Sequence, residues 1–246
     1  MASIEENYQI WQETYDWKDG GNSWSDAWGG VEMQWERWLY PRIKNFLPRK
    51  RMVEIGVGFG RWSEFLLNHC EILIGFDISS RCIEHCRNRF KGLPRAAFHP
   101  CDGKSMPGLN PGTIDAIVSF DSLVHADLMT LNNYVRIFGE MLSPDGVAII
   151  HHSNLKTYRS RLPQFVLPRI EHFRARDVEA EDIRQACRAC GLACFRQELM
   201  AWGDSGWNID CITYIGRWTD SATGETEILS SMDLGRLETK HVLDRR

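Results

Sequence analysis

Val53-Glu54-Ile55-Gly56-Val57-Gly58-Phe59-Gly60 is an apolar run that carries one acidic residue and ends in three glycines at alternate positions. A buried strand that opens into a glycine turn begins an alternation of strands and helices. The chain downstream keeps that alternation. Residues 52–56 form the strand and a helix follows from about 61 to 68. Residues 72–76 read as a second strand stopped by Asp77, and 80–90 as a helix with Ser79 as its cap. The third strand is 96–100. The fourth, 114–120, closes on Asp121 and leads into a helix through about 142. Ser143-Pro144-Asp145-Gly146 is a turn before a fifth strand at 147–151. A helix at 179–190 ends at Gly191, and 192–201 and 209–217 are two strands in a hairpin-like finish. The order predicts a Rossmann-like α/β fold: a doubly wound, mostly parallel seven-stranded sheet with an antiparallel last strand, in three α/β/α layers.

The flanks differ in character. Residues 1–48 hold six of the ten tryptophans, Trp11, Trp17, Trp24, Trp28, Trp35 and Trp38, and two Gly-Gly pairs break them into short pieces. We read 1–48 as a Trp-rich helical lid, 49–218 as the ligand-binding domain and 219–246 as a tail of weak periodicity. The indoles either pack a helical layer on the core or close a pocket, and both can hold at once.

Composition narrows the partners. A formal net charge of −4 without a long basic run argues against a nucleic-acid partner. No stretch approaches the ~20 apolar residues of a membrane span, and the polar, acidic start is unlike a signal peptide. These features point to the cytoplasm, where the eight cysteines would be reduced and unpaired. Cys187, Cys190 and Cys194 lack a fourth ligand for structural zinc and read as small buried residues, as do Cys82 and Cys86. The oligomeric state is not legible, and a dimer is compatible with everything above.

In such a sheet the ligand lies at the carboxyl ends of the strands. That edge carries Glu54, Gly56, Gly58, Gly60, Asp77, Asp102, Asp121, His125, His151 and His152. A dinucleotide fingerprint would need a third glycine where Arg61 stands. Glu54 would also repel a pyrophosphate, whereas it would attract a cationic ligand. An NAD-dependent oxidoreductase is therefore disfavoured.

The acidic residue followed by Gly56-x-Gly58-x-Gly60, Asp77 ending the second strand, Asp102-Gly103 after the third and the final hairpin together resemble the class I S-adenosylmethionine-dependent methyltransferases over residues 50 to 217. The resemblance implies S-adenosyl-L-methionine as cofactor. Its methionine and ribose parts would lie on the glycine loop beside Glu54, with Asp77 on the ribose hydroxyls. Ile78 would meet the adenine face, Asp102 and Gly103 the adenine amino group, and Phe120 would complete the site.

The acceptor is read from the fourth and fifth strands. Ser119-Phe120-Asp121-Ser122 replaces the Asn/Asp-Pro-Pro-Tyr-type motif of amino-group methyltransferases, which favours an oxygen acceptor. His125 is the candidate general base, one helical turn after Asp121, which would orient the imidazole or hold the cofactor's amino group. Adjacent strand residues point to opposite faces, so one of His151 and His152 faces the site. We take His152 as catalytic and His151 as a substrate contact. Asp121, His125, Asp127 and His152 alternatively form a site for a divalent metal, Mg2+, that orients vicinal hydroxyls. Trp24-Ser25-Asp26-Ala27-Trp28-Gly29-Gly30 with Gln34, and His172-Phe173-Arg174-Ala175-Arg176, resemble parts of bacterial sugar O-methyltransferases. Trp28, Gln34 and Arg174 are accordingly candidate contacts to a sugar, an oligosaccharide or another polyhydroxylated small molecule. The competing readings are a non-catalytic cofactor-binding or scaffolding protein and a methyltransferase acting on another natural-product acceptor.

Overall fold

Met52, Val53, Glu54 and Ile55 are all buried, so the first strand is covered on both faces and belongs in the middle of a sheet. The computed structural model, which describes residues 3–159, 173–201, 207–217 and 225–230, places it there. The strands are β1 (Arg49–Ile55), β2 (Cys70–Asp77), β3 (Ala96–Pro100), β4 (Ile114–Ser119), β5 (Leu142–Ser153), β6 (Leu192–Met200), β7 (Asp210–Arg217) and β8 (Glu227–Leu229). Their order is β3-β2-β1-β4-β5-β7-β6-β8. β1 pairs in parallel with both β2 and β4, and β7 lies antiparallel between β5 and β6.

The period-two pattern assigns the two faces. Val53, Ile55, Ile117, Ala148 and Ile150 pack with Leu131, Val135 and Phe138 of the helix Leu128–Met141, and with Ile183 and Cys187 of the helix Ala180–Ala189. Met52, Leu73, Ala116, Val118 and Ile149 turn the other way, onto Trp35, Trp38, Leu39, Ile43 and Leu66. The three-layer α/β/α arrangement is as expected.

Three details differ from the sequence reading. The sheet has an eighth strand: residues 227–229 lie parallel to β6, where the tail had shown too little alternation to announce one. Residues 143–146 are not a free turn. The β4–β5 register jumps from Ile114↔Leu142 to Ala116↔Val147, so they bulge out within β5. The helix after β4 begins at Leu128 and not beside Asp121, because Asp121 has a left-handed φ of 58°. Asp127 caps that helix by accepting the Thr130 N–H at 2.8 Å. Among the described residues no helix is long and apolar enough to cross a membrane.

The N-terminal layer is fastened to the far side of the sheet by a buried ion pair. Arg42 Nε donates to Glu198 at 2.8 Å, and the Tyr214 hydroxyl donates to the same carboxylate at 2.7 Å. Removing one partner leaves an uncompensated buried charge. Glu198→Ala is expected to destabilise the fold by about 3–5 kcal/mol, read as a lowered urea midpoint. A midpoint equal to wild type would show the pair to be dispensable.

Candidate active site

The strand order reverses between β1 and β4, and the loops leaving these neighbours meet above the sheet. They meet closely. Gly56 has φ 73°, and a Cβ there would lie 1.8 Å from Ser122 Oγ, so only glycine fits both the conformation and the space. Asp77, at the end of β2, ties the glycine loop down from the other side. Its carboxylate accepts the Gly58 N–H at 2.9 Å and the Ser79 N–H at 2.8 Å. Ser79 itself caps the next helix through the Cys82 N–H, which leaves Asp77 free of capping duty. Burial pushes the Asp77 carboxyl up to about 6 against those N–H bonds.

The resulting cavity encloses about 1210 Å³ counting its open mouth. One wall is Gly56, Gly58, Asp77, Ile78, Cys101 and Gly103, with Phe120 at the end of β4. Two expected residues are turned elsewhere. Asp102 is exposed and spends its carboxylate on the Lys104 and Ser105 N–H groups at 2.8 and 2.7 Å. Glu54 lies beneath the loop, accepts the Ser63 hydroxyl at 2.5 Å, and does not line the cavity. Burial, reinforced by Asp77, raises its carboxyl to about 8. The attraction expected of Glu54 for a cationic ligand is therefore weakened, since the group is a neutral acid at pH 7.

The opposite wall holds Asp121, Ser122, His125 and Arg174. His125 is buried, and its Nδ1 lies 3.1 Å from the Phe173 carbonyl oxygen. That contact makes Nδ1 the protonated nitrogen and leaves Nε2 as an acceptor. Burial lowers the imidazole to about 4. Asp121 does not orient His125. It pairs instead with Arg61 at 2.7 Å and with His151 Nδ1 at 3.2 Å. His151 Nε2 lies 3.2 Å from Asp210, which holds Arg174 by two bonds of 2.5 and 2.7 Å. Burial would lower His151, but the two carboxylates outweigh it and raise it. Burial would raise Asp210 and Asp121, but Arg174, His151 and Arg61 hold both below the usual carboxylate range.

His152 faces away from the cavity. Its Nε2 lies 2.7 Å from Thr213 Oγ1 and its Nδ1 2.8 Å from the Ser153 carbonyl, in a fully buried position. His151 lies between Asp121 and Asp210 and does not line the cavity either, so neither histidine of the pair takes the place expected of it. The metal alternative loses its ligands on the same grounds: Asp127 is a cap, Asp121 is ion-paired and His152 is remote. Among the described residues no group of three or more His, Cys, Asp or Glu could hold a metal ion.

Of the substrate candidates, Trp28 packs on Trp38 with ring centroids 6.0 Å apart and Gln34 is fully buried. Neither lines the cavity. His172 lies outside the described residues. Trp11, Trp17 and Trp24 line the cavity instead, with Ile4 and Asn7. Arg61 and Asp210 were missed because their partners are 60 and 36 positions away; the only local signal was an arginine where a glycine was awaited.

Residues 52–146 match the family model of a methyltransferase domain. The match runs from within β1 into β5. A search of curated proteins finds an uncharacterized methyltransferase of Oceanobacillus iheyensis, 29% identical over 133 residues, which are 53% of this chain and 61% of that protein. The chain thus matches about three fifths of that relative's length. Among solved structures, a protein of Pyrococcus horikoshii OT3 superposes with a TM-score of 0.61 at 16% identity, over 87% of this chain and 99% of that one. Geranyl diphosphate C-methyltransferase of Streptomyces coelicolor A3(2), solved with Mg2+, geranyl diphosphate and S-adenosyl-L-homocysteine, has a TM-score of 0.58 at 13% identity. That match covers 72% of this chain and 77% of that one. At these identities the structural likeness speaks for the fold. It agrees with the sheet order described above.

Two outcomes check the geometry of the glycine loop. Gly56→Ala should abolish binding of S-adenosylhomocysteine in a calorimetric titration, and adding Ser122→Gly should restore part of it by removing the colliding side chain. An unaffected single mutant would refute the contact. Glu54 binds its proton more tightly folded than unfolded, so its contribution to stability falls as pH rises from about 4.5 to about 8. Glu54→Gln should flatten that decline in urea unfolding free energies measured between pH 5 and 8.5.

Proposed function

We propose that the protein is an S-adenosylmethionine-dependent O-methyltransferase that methylates a hydroxyl of a sugar, an oligosaccharide or another polyhydroxylated small molecule. The observation that carries this reading is His125, a neutral imidazole at the cavity wall whose Nδ1 is fixed by the Phe173 carbonyl and whose Nε2 is left as an acceptor. The cofactor supplies an electrophilic methyl group on a sulfonium.

The residues of this chain do the rest. The side-chain-free faces of Gly56 and Gly58 allow close backbone approach, and the Asp77 carboxylate stands at the cavity edge where a ribose diol would donate to it. Ile78, Cys101 and Gly103 form the wall for the adenine. Asp102, held in its own turn, has no part in that contact. Trp11, Trp17 and Trp24 offer apolar faces suited to the C–H faces of a sugar ring. His125 Nε2 accepts the hydroxyl proton. A weak base suffices, because a hydroxyl oxygen becomes strongly acidic as the new C–O bond forms, and a neutral imidazole has its lone pair available across the physiological range.

The aromatic lining supports a second reading as well, an apolar acceptor methylated at carbon, as the name of the Streptomyces coelicolor enzyme describes for that protein. A screen of nucleotide sugars, oligosaccharides and prenyl diphosphates with labelled S-adenosylmethionine separates the two, since an O-methyl product supports the first and a C-methyl product replaces it. Titration with S-adenosylhomocysteine should show micromolar binding that Asp77→Ala loses. On the true acceptor His125→Ala should lower kcat by about 10²–10⁴ with that affinity retained. The acid limb of the wild-type kcat profile should fall at about pH 4; a limb near the ordinary histidine value would contradict the assignment.

A further inference from the structure

His125 sits in an isolated single turn, residues 123–125, between β4 and the helix that begins at Leu128. One turn has no hydrogen-bond ladder long enough to hold its own position. Its place is set from outside, by two separate segments. The Phe173 carbonyl holds the imidazole, and the Ala175 N–H bonds the Val124 carbonyl at 2.9 Å. The second anchor comes from the first helix, Ile4–Tyr8. Asn7 is buried, and its Nδ2 donates to the His125 carbonyl at 2.9 Å across 118 positions of the chain. Asn7 Oδ1 accepts the Trp11 indole N–H at 3.3 Å, and the Trp11 ring lies 5.0 Å from the His125 ring.

The same N-terminal segment forms the outer wall of the cofactor side. A Cβ on Gly103 would lie 3.2 Å from the Ile4 side chain, and one on Gly58 would lie 3.1 Å from Trp17. Trp17 stacks on Phe59 at 4.7 Å and 10°. Gln12 Oε1 accepts the Ser79 hydroxyl at 2.9 Å, one residue beyond Ile78. One segment therefore touches the glycine loop, the ends of β2 and β3, and the turn that bears His125.

We propose that Asn7 is a positioning residue for His125. The proposal rests on the reading of His125 as the proton acceptor. A displaced base loses the alignment that general-base catalysis needs, whereas the contacts that would hold the cofactor lie on other residues. Asn7→Asp keeps the size and turns the donor toward the His125 carbonyl into an acceptor.

The test uses the full chain labelled with ¹⁵N-histidine, with His125 assigned from His125→Gln, in the presence of S-adenosylhomocysteine. In the wild type the ring should show one tautomer, protonated at Nδ1. In Asn7→Asp the ring shifts should move toward an average of the two tautomers while the S-adenosylhomocysteine Kd changes less than about threefold, a free-energy change below about 1 kcal/mol. Trp11→Phe, which removes the indole N–H and keeps the ring, should move the shifts in the same direction by less, and it serves if Asn7→Asp fails to fold. With the acceptor in hand, kcat should fall about tenfold or more in Asn7→Asp at a nearly constant KM for S-adenosylmethionine. Unchanged ring shifts, or a loss of cofactor affinity as large as the loss of kcat, would overturn the positioning role. Turnover that survives in His125→Gln removes the underlying reading. Turnover lost in His125→Gln but untouched in Asn7→Asp removes this proposal alone.

Discussion

The missing side chain at Gly56 is what allows the loop after β1 and the loop after β4 to share one space, with Ser122 Oγ where a Cβ would otherwise stand. The two strands are hydrogen-bonded neighbours at the point where the sheet order reverses. Helices approach from opposite faces on either side of that point and leave a crevice. The crevice becomes a bounded cavity because the loops close on each other beneath it. Asp77 then fixes the glycine loop from the β2 side, and the strained backbone at Asp121 turns the β4 loop toward β5.

Beside the cavity runs a buried chain of polar contacts, from Arg61 through Asp121, His151 and Asp210 to Arg174. Each member is almost wholly removed from water, and the two arginines are tolerable there because each meets a carboxylate, Asp121 or Asp210. The chain spans the glycine-loop side, β4, β5, β7 and the segment after residue 172. A displaced arginine or carboxylate would leave a buried charge unpaired. His151, fully buried, is the clip between two carboxylates. That explains why strand alternation alone could not reveal its use.

Much of the frame was legible beforehand. The glycine spacing, Asp77 at a strand end, the five strand–helix alternations and the closing hairpin are local patterns, and a local pattern survives whatever the chain does elsewhere. The wall formed by Asp121, Ser122, His125 and Arg174 was not. Alternation states that one of His151 and His152 faces the site, yet both are fully buried and neither lines the cavity. Six N-terminal tryptophans look alike in sequence, yet Trp35 and Trp38 fill the core while Trp11, Trp17 and Trp24 line the cavity. Asp102 occupied the expected position, yet its carboxylate accepts the Lys104 and Ser105 N–H groups of its own turn.

The amino-acid sequence by itself determined a doubly wound sheet and a glycine loop at the end of its first strand, since hydrophobic period and glycine's conformational freedom act over a few residues; that Gly56 tolerates no Cβ depends on Ser122, brought there by the fold. Which polar groups meet across that loop was decided only by the tertiary structure. Asn7 reaches His125 over 118 positions and Arg61 reaches Asp121 over 60. Contacts of that kind depend on the register of strands and the path of distant segments, and no short-range pattern encodes either.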